Sequence, residues 1–363
     1  MKEINIDLAK DKYSIYIERG LIDNISYFIK GINRGKKIAL IIDENVDNLY
    51  GCKIRTHLID NGFSVKTISI RGGEGSKSLR ILDSIYRKLL DFNITRGDLI
   101  IVMGGGVAGD VGGFAAATYL RGMDFIHIPT TLLAQIDSSI GGKVAVNLPE
   151  GKNLVGSFYQ PKGVFIDPNL LCTLDTREFN NGMAEAIKYA CIADKNLFHQ
   201  LLMLSKEEID REIEDIIFTC CNIKGKIVME DEKDRGNRML LNFGHTIGHV
   251  IEKYFNYEKY THGEAIAIGM YNITLKSEIA GYTKEGITHQ IKEVLEKFGL
   301  PYRLPDMDRG EILKTLALDK KSKGNNIDII LIKDIGEGII KNLSRKIFFK
   351  EFFPHKTKSG GAI

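Results

Sequence analysis

Residues 98–119 read DLIIVMGGGVAGDVGGFAAATY. An acid opens a continuous apolar run, Leu99 to Met103, and Gly104, Gly105 and Gly106 end it. A helical stretch rich in alanine and glycine, 111–119, follows. A strand that is apolar at every position is buried on both faces, as in a parallel sheet with helices on either side. Positions 104–109 fit G-x-G-x-x-G between that strand and that helix. In this setting backbone amides and a helix N-terminus can receive a pyrophosphate. Taken alone, the loop is equally well a tight strand-to-helix turn. The motif also calls for an acid about twenty residues on, to bind a ribose. Asp124 fits the count but opens another strand. Asp43 ends a neighbouring strand, where a sheet-edge ribose acid is expected.

Outward from this stretch the pattern repeats. Residues 36–43 (KKIALIID), 64–70, 124–128 and 163–167 are further strand-like runs with helical stretches between them. Residues 3–6 and 13–17 resemble a small hairpin. The half is α/β, with a doubly wound, mostly parallel sheet. After Pro168 helical periodicity takes over, in 177–193, 206–230, 242–254, 263–280 and 283–298. Phe298-Gly299-Leu300-Pro301 is a helix stop. The sequence thus divides into an α/β domain, 1–168, and a mainly α-helical domain, 169–363. Residues 341–363 are basic and carry Phe348, Phe349, Phe352 and Phe353; they close the chain as an amphipathic segment.

Composition narrows the function. The 363 residues are 44% hydrophobic and 27% charged, which excludes disorder as the main state. Lys and Arg number 50 against 47 Asp and Glu, a net charge of +3. A protein that coats nucleic acid would carry a strong basic excess. No apolar run is long enough for a membrane span, and residues 1–10 do not read as a secretory signal. Cys52, Cys172, Cys191, Cys220 and Cys221 are an odd set without C-x-x-C. Reduced thiols in the cytoplasm are expected.

Two clusters carry chemistry. His245 and His249 lie at i, i+4 on one helix face, His262-Gly263-Glu264 opens the next helix, and Glu185 lies in GMAEAIK. Two or three histidines with one carboxylate make up a catalytic zinc site. Spacing alone pairs His245 with His249. Arg121, Lys143, Lys152, Lys188, Lys224 and Arg238 form the second cluster, next to turns and small residues. Singly each is a solvated charge; together they suit a small polyanionic substrate. Residues 72–78 (GGEGSKS) form a second glycine loop, equally well a capped surface loop.

The stretches 120–161 (LRGMDFIHIPTTLLAQIDSSIGGKVAVNLPEGKNLVGSFYQP), 180–189 (NNGMAEAIKY), 238–249 (RMLLNFGHTIGH) and 261–270 (THGEAIAIGM) closely resemble the 3-dehydroquinate synthase family of the shikimate pathway. That family belongs among the sugar phosphate cyclases. The resemblance runs from the N-terminal sheet to about residue 332. It implies a Rossmann-like NAD domain, a helical metal domain and an active site in the cleft between them. It implies zinc, or cobalt, held by Glu185, His245 and His262, with His249 on the substrate side. Lys143, Lys152, Asn153, Lys188, Lys224, Arg238 and Asn242 would hold a phosphorylated substrate. Arg121 would be lent across a homodimer interface. Asp43, Glu74, Lys77, Gly104, Gly105, Gly106, Val107, Asp110, Thr130 and Thr131 match NAD contacts. Asp137, Lys143 and Lys152 would also line the NAD site, Asp137 touching the reacting centre. Either Lys320 or Lys321 matches a late substrate contact. Asp234 stands where the family usually has glutamate, and Leu148 where it often has histidine.

The implied reaction turns 3-deoxy-D-arabino-heptulosonate 7-phosphate into 3-dehydroquinate and phosphate. It runs through transient oxidation by NAD, β-elimination of phosphate, re-reduction, ring opening and aldol closure. Another sugar phosphate cyclase is the alternative nearest to this. A polyol dehydrogenase would not need so many lysines, and a non-catalytic nucleotide-binding protein would not need intact metal ligands.

Overall fold

The structure, a computed structural model, describes residues 1–33, 35–234, 236–308, 322–323 and 326–352. The chain forms two compact units. Met1–Gly182 and Glu207–Arg235 make one; Met183–Lys206 and the chain from Gly236 onward make the other. The strands of the first unit are β1 (Lys2–Asp7), β2 (Lys12–Ile17), β3 (Lys37–Asp43), β4 (Ser64–Ile70), β5 (Leu99–Gly104), β6 (Phe125–Pro129), β7 (Lys143–Leu148), β8 (Gly151–Phe158) and β9 (Gly163–Ile166). Seven of them form one sheet in the order β1-β2-β9-β6-β5-β3-β4. β1 and β2 pair antiparallel; every other neighbouring pair in the sheet is parallel.

The helices up to the second unit are α1 (Ile25–Ile32), α2 (Glu44–Val46), α3 (Cys52–Asp60), α4 (Leu79–Asp91), α5 (Gly106–Thr118), α6 (Thr176–Ala193), α7 (Lys195–Met203) and α8 (Lys206–Glu230). Side chains alternate along β3. Ile38, Leu40 and Ile42 share a core with Ile25 and Ile29 of α1 and Leu58 of α3. Ala39 and Ile41 share the opposite core with Leu82 and Ile85 of α4 and Val111 and Phe114 of α5. Both faces are therefore covered, as continuous apolar strands require. Full burial of each such aliphatic side chain contributes about 1.5–3 kcal/mol.

α5 begins at Gly106, five residues before the start the sequence suggests, so most of the glycine motif lies inside the helix. Glycine weakens a helix, and here close approach explains its presence. A β-carbon at Gly109 would stand 2.5 Å from Cε1 of His127, and one at Gly112 would stand 2.7 Å from a methyl of Val102. Burial keeps the His127 ring neutral, its pKa lowered to about 4.

Two features escape periodicity. β7 and β8 form an antiparallel hairpin with a register shift between Val146 and Leu148. Its inward residues Val144 and Val146 join the core under α5. α8 belongs to the first unit although it follows residue 168. The contacts that hold it there are specific. Cys221 Sγ lies 3.3 Å from the carbonyl of Gln135, and Lys224 Nζ lies 2.7 Å from that of Asp137. An amphipathic pattern reports a buried face but not the body that buries it.

The second unit holds α7 and part of α6, with α9 (His245–Tyr254), α10 (His262–Ile279) and α11 (Ile287–Lys297). β10 (Ser322–Lys323), β11 (Asn326–Asp334) and β12 (Glu337–Ser344) add a three-stranded antiparallel sheet that the sequence reading lacks. The expected tail segment accordingly begins inside β12. A helix, Arg345–Phe352, follows with Phe348 fully buried. Among the described residues, no helix is long and apolar enough to cross a membrane.

Replacing Gly112 with valine should lower stability by about 1–3 kcal/mol through overpacking against Val102. The midpoint of denaturant unfolding measures this.

Candidate metal centre and cofactor loops

Glu185 lies on α6, His245 opens α9 and His262 opens α10. Each offers one ligand atom, and the three atoms lie within 4.8 Å of one another. Nε2 of His262 is 3.3 Å from Glu185 Oε1, and Nε2 of His245 is 3.7 Å from it. Glycines let the helices converge here. Gly244 has φ +80° and caps α9 in the left-handed region. A β-carbon on it would stand 2.8 Å from the carbonyl oxygen of Ile266, and one on Gly269 would overlap the carbonyl of Gly244. Thr261 and Glu264 form a capping box that starts α10. Glu264 is thereby used on the backbone of its own helix.

The rest of the shell aims the ligands. Nδ1 of His245 lies 3.1 Å from the carbonyl oxygen of Phe243, and Nδ1 of His262 lies 3.4 Å from Oε1 of the buried Glu252. Such backing contacts fix which imidazole nitrogen faces a metal. Burial pushes the His262 pKa down, but Glu185 and Glu252 outweigh it and raise it to about 10. Glu185 is wholly buried, and neither of its oxygens meets a well-aligned donor. Lys188, one turn on and also buried, pairs with it. A buried carboxylate without aligned donors, facing two imidazoles, fits a dication with three protein ligands and an open position. His249 is not part of that group, although its ring lies beside that of His245, with centroids 5.2 Å apart. The candidate group takes its third residue from α10 and not from the helix of His245, and periodicity within one helix does not report that.

In the first unit, Asp43 and the glycine turn meet at the C-terminal ends of β3 and β5. A β-carbon at Gly104 would stand 3.1 Å from that of Asp43, and one at Gly72 would stand 3.0 Å from Asp43 Oδ2. The Asp43 carboxylate also accepts from the amides of Asn45 and Val46, which starts α2. The Thr130 amide donates to the carbonyl of Gly104 at 3.0 Å, and Thr131 packs on Gly105. Lys77 is buried and pairs with Asp110 in the first turns of α5. Burial raises the Asp110 pKa, and Lys77 offsets part of the rise. Asp124, the other acid considered for the ribose, faces Lys162 at 3.5 Å.

The basic residues are mostly paired. Lys143 pairs with Asp234, Lys152 lies 3.6 Å from Glu74, and Lys224 Nζ lies 2.6 Å from Asp137 Oδ1. Asn153 has φ +56°, and its amide donates to Asn147. Arg121 is exposed and follows Leu120 in the left-handed region, at φ +65° and +51°. In the second unit, Arg238 is buried on the turn Asn237–Asn242, and the Asn242 side chain donates to the Met239 carbonyl at 3.1 Å. Lys320 and Lys321 lie outside the described residues. The sequence reading missed Glu252 and Asn147. His249-x-x-Glu252 is a one-turn spacing that could have drawn attention to Glu252; Asn147 ends the stretch GGKVAVN within the resembling segment 120–161, but the resemblance assigns it no role.

The chain matches the family description 3-dehydroquinate synthase N-terminal over residues 67–181 and 3-dehydroquinate synthase C-terminal over residues 182–322. It belongs to the 3-dehydroquinate synthase family. It is 53% identical to the 3-dehydroquinate synthase of Clostridium botulinum (strain Alaska E43 / Type E3), over 96% of this chain and all of that one. Among solved structures it is similar to a 2-deoxy-scyllo-inosose synthase complexed with carbaglucose-6-phosphate, NAD+ and Co2+. The TM-score there is 0.85 at 26% identity, covering 96% of this chain and 98% of that one. A second is ValA, the 2-epi-5-epi-valiolone synthase from Streptomyces hygroscopicus subsp. jinggangensis 5008, with NAD+ and Zn2+ bound. Its TM-score is 0.85 at 25% identity, covering 94% of this chain and 95% of that one. Family membership makes the chain an enzyme, and its fold is that of the sugar phosphate cyclases.

Removing the Glu252 carboxylate (Glu252→Ala) should weaken zinc binding about 10–100-fold, as loss of such a backing group commonly does. Competition with a zinc-binding dye reads the affinity without recourse to turnover.

Proposed function

We propose that the chain converts 3-deoxy-D-arabino-heptulosonate 7-phosphate to 3-dehydroquinate and phosphate, with NAD regenerated in each turnover. The observation that carries this reading is the convergence of Glu185, His245 and His262 in a chain of this family. One carboxylate and two imidazoles suit zinc, and cobalt can take the same place. When bound, NAD supplies a hydride acceptor and donor, and the metal polarises the substrate's hydroxyls as a Lewis acid.

The protein's own residues bind, orient and move protons. Asp43, Glu74, Lys77, Asp110, Thr130, Thr131 and the turn Gly104–Val107 hold NAD. Support comes from the packing of Asp43 against Gly104 and of Thr131 against Gly105. Lys143, Lys152 and Asn153 hold the phosphate, with Lys224, Lys188, Arg238 and Asn242 on the carboxylate and hydroxyls. Lys224 also fixes Asp137 through two contacts, one to its carboxylate and one to its carbonyl. The lysines act as charged clamps and keep their protons. His249 moves a proton at an imidazole nitrogen, in phosphate elimination or ring closure. Asp234, in place of the family's glutamate, holds Lys143.

The partner is a second copy of the chain. Arg121 is exposed on a turn of two left-handed residues, which the side chain of Arg96 holds through the Leu120 carbonyl. Such strain persists where surrounding structure over-determines it, and it concentrates at functional sites. None of the five cysteines is in a disulfide, which suits the cytoplasm.

The test is phosphate release by the purified chain with NAD and zinc. The heptulosonate phosphate, sedoheptulose 7-phosphate and glucose 6-phosphate are offered in parallel. Release from the first alone, stopped by a chelator and without net NADH, is expected; release from one of the others alone moves the substrate to another cyclase. Glu185→Ala and His262→Ala should abolish turnover and leave NAD binding in place. Lys152→Ala should raise the substrate dissociation constant far more than that of NAD.

A further inference from the structure

Asn147 ties the loop of Glu74 and Lys77, read above as part of the NAD site, to the hairpin tip, read above as a substrate contact whose Lys152 would also line the NAD site. Asn147 is the one residue of β7 between the pairs Val146–Val155 and Leu148–Gly151, where β8 has three, Lys152, Asn153 and Leu154. The irregularity on β8 interrupts the ladder and leaves the tip residues 152–154 to find other partners. The side chain of Asn147 is half-buried and spends both ends. Its Nδ2 donates to Oε1 of Glu74 at 2.7 Å, and its Oδ1 accepts from the amide of Asn153 at 2.9 Å. Its backbone amide donates to the carbonyl of Lys77 at 2.8 Å, and it bridges Ser78 in the parallel sense. Lys152, the residue before Asn153, reaches the same Glu74 oxygen at 3.6 Å.

One side chain thus joins the loop of Glu74 and Lys77 to the hairpin tip of Lys152 and Asn153. Asn153 sits at φ +56°, a region that L residues other than asparagine, aspartate and histidine seldom adopt. The hydrogen bond from its amide helps hold that conformation. We propose that Asn147 is a positioning residue that couples cofactor binding to substrate binding. Ordering of the loop by NAD orders the tip, and ordering of the tip by a phosphorylated substrate orders the loop. This rests on the reading of Glu74 and Lys77 as NAD contacts and of Lys152 and Asn153 as substrate contacts. Linkage makes the effect reciprocal: each ligand tightens the other by one common factor.

The experiment is titration calorimetry on the zinc-loaded protein. The probes are NAD and a phosphonate analogue of the heptulosonate phosphate, whose carbon–phosphorus bond elimination cannot break. In the native chain, saturating NAD should tighten the phosphonate about tenfold, and the phosphonate should tighten NAD by the same factor. In Asn147→Ala the factor should fall to near one while each separate affinity changes much less. A purely structural role would weaken the separate affinities and leave the factor standing. Asn147→Asp is the second variant. It keeps the acceptor for Asn153 and sets a carboxylate against Glu74, so it should lose the factor with the tip intact. A factor that is absent in the native chain, or unchanged in either folded variant, overturns the inference. Lys152→Ala separates the two levels: unchanged phosphonate affinity there faults the assignment of the tip to substrate, not the bridge.

Discussion

Glu185 has to be a carboxylate, and it has to be buried. Its oxygens are shut off from water and meet no well-aligned donor, a situation that is expensive for a charged group unless positive charge stands nearby. The second unit is arranged around that requirement. Lys188 comes from the next turn of the same helix. Two imidazoles come from the first residues of α9 and α10, brought together by glycines at 244 and 269 that leave no room for a side chain. Glu252 and the Phe243 carbonyl stand behind those rings. The helical packing and the metal chemistry are therefore one constraint seen twice.

The first unit answers the same rule in another form. Lys77, Lys143, Lys152 and Lys224 each lie beside a carboxylate: Asp110, Asp234, Glu74 and Asp137. Lys77 and Lys224 are buried, and a buried ammonium persists only with a partner. The pairs also limit the wandering of long side chains, so the cations are placed before any ligand arrives. Asp234 is instructive. It supplies the charge that Lys143 faces.

Some of this was legible in the sequence. β4 and α8 match the readings of 64–70 and 206–230 residue for residue, because one is short with clear ends and the other a long run of unbroken helical period. The parallel sheet follows from apolar runs such as 99–103, since only burial on both faces permits them. The metal ligands are another matter. Helical spacing offers His249, a neighbour along the chain, whereas the third residue of the candidate metal group belongs to a different helix. Only long motifs, read as a family resemblance, bring Glu185, His245 and His262 together. Local pattern is silent on which unit α8 packs against, and it hides the β7–β8 hairpin behind residues that read as a binding motif. Asn147 lies within one of those motifs, but its contacts with Glu74 and Asn153 come from the pairing of β7 and β8 and not from local pattern.

On the proposed reading of Lys143 and Lys152 as phosphate contacts, the paired lysines also bear on how the enzyme lets go. Asp234 and Glu74 are fastened to the same body as Lys143 and Lys152, so they never diffuse away when an anion takes their place. A tethered carboxylate is a competitor at high effective concentration. It weakens the hold on any phosphate resting in the ground state, including the free phosphate left after elimination. A cluster of bare lysines would grip that product and slow the next cycle. Lysines with their own carboxylates in reserve can exchange it, and the surface returns to charge balance as the product departs.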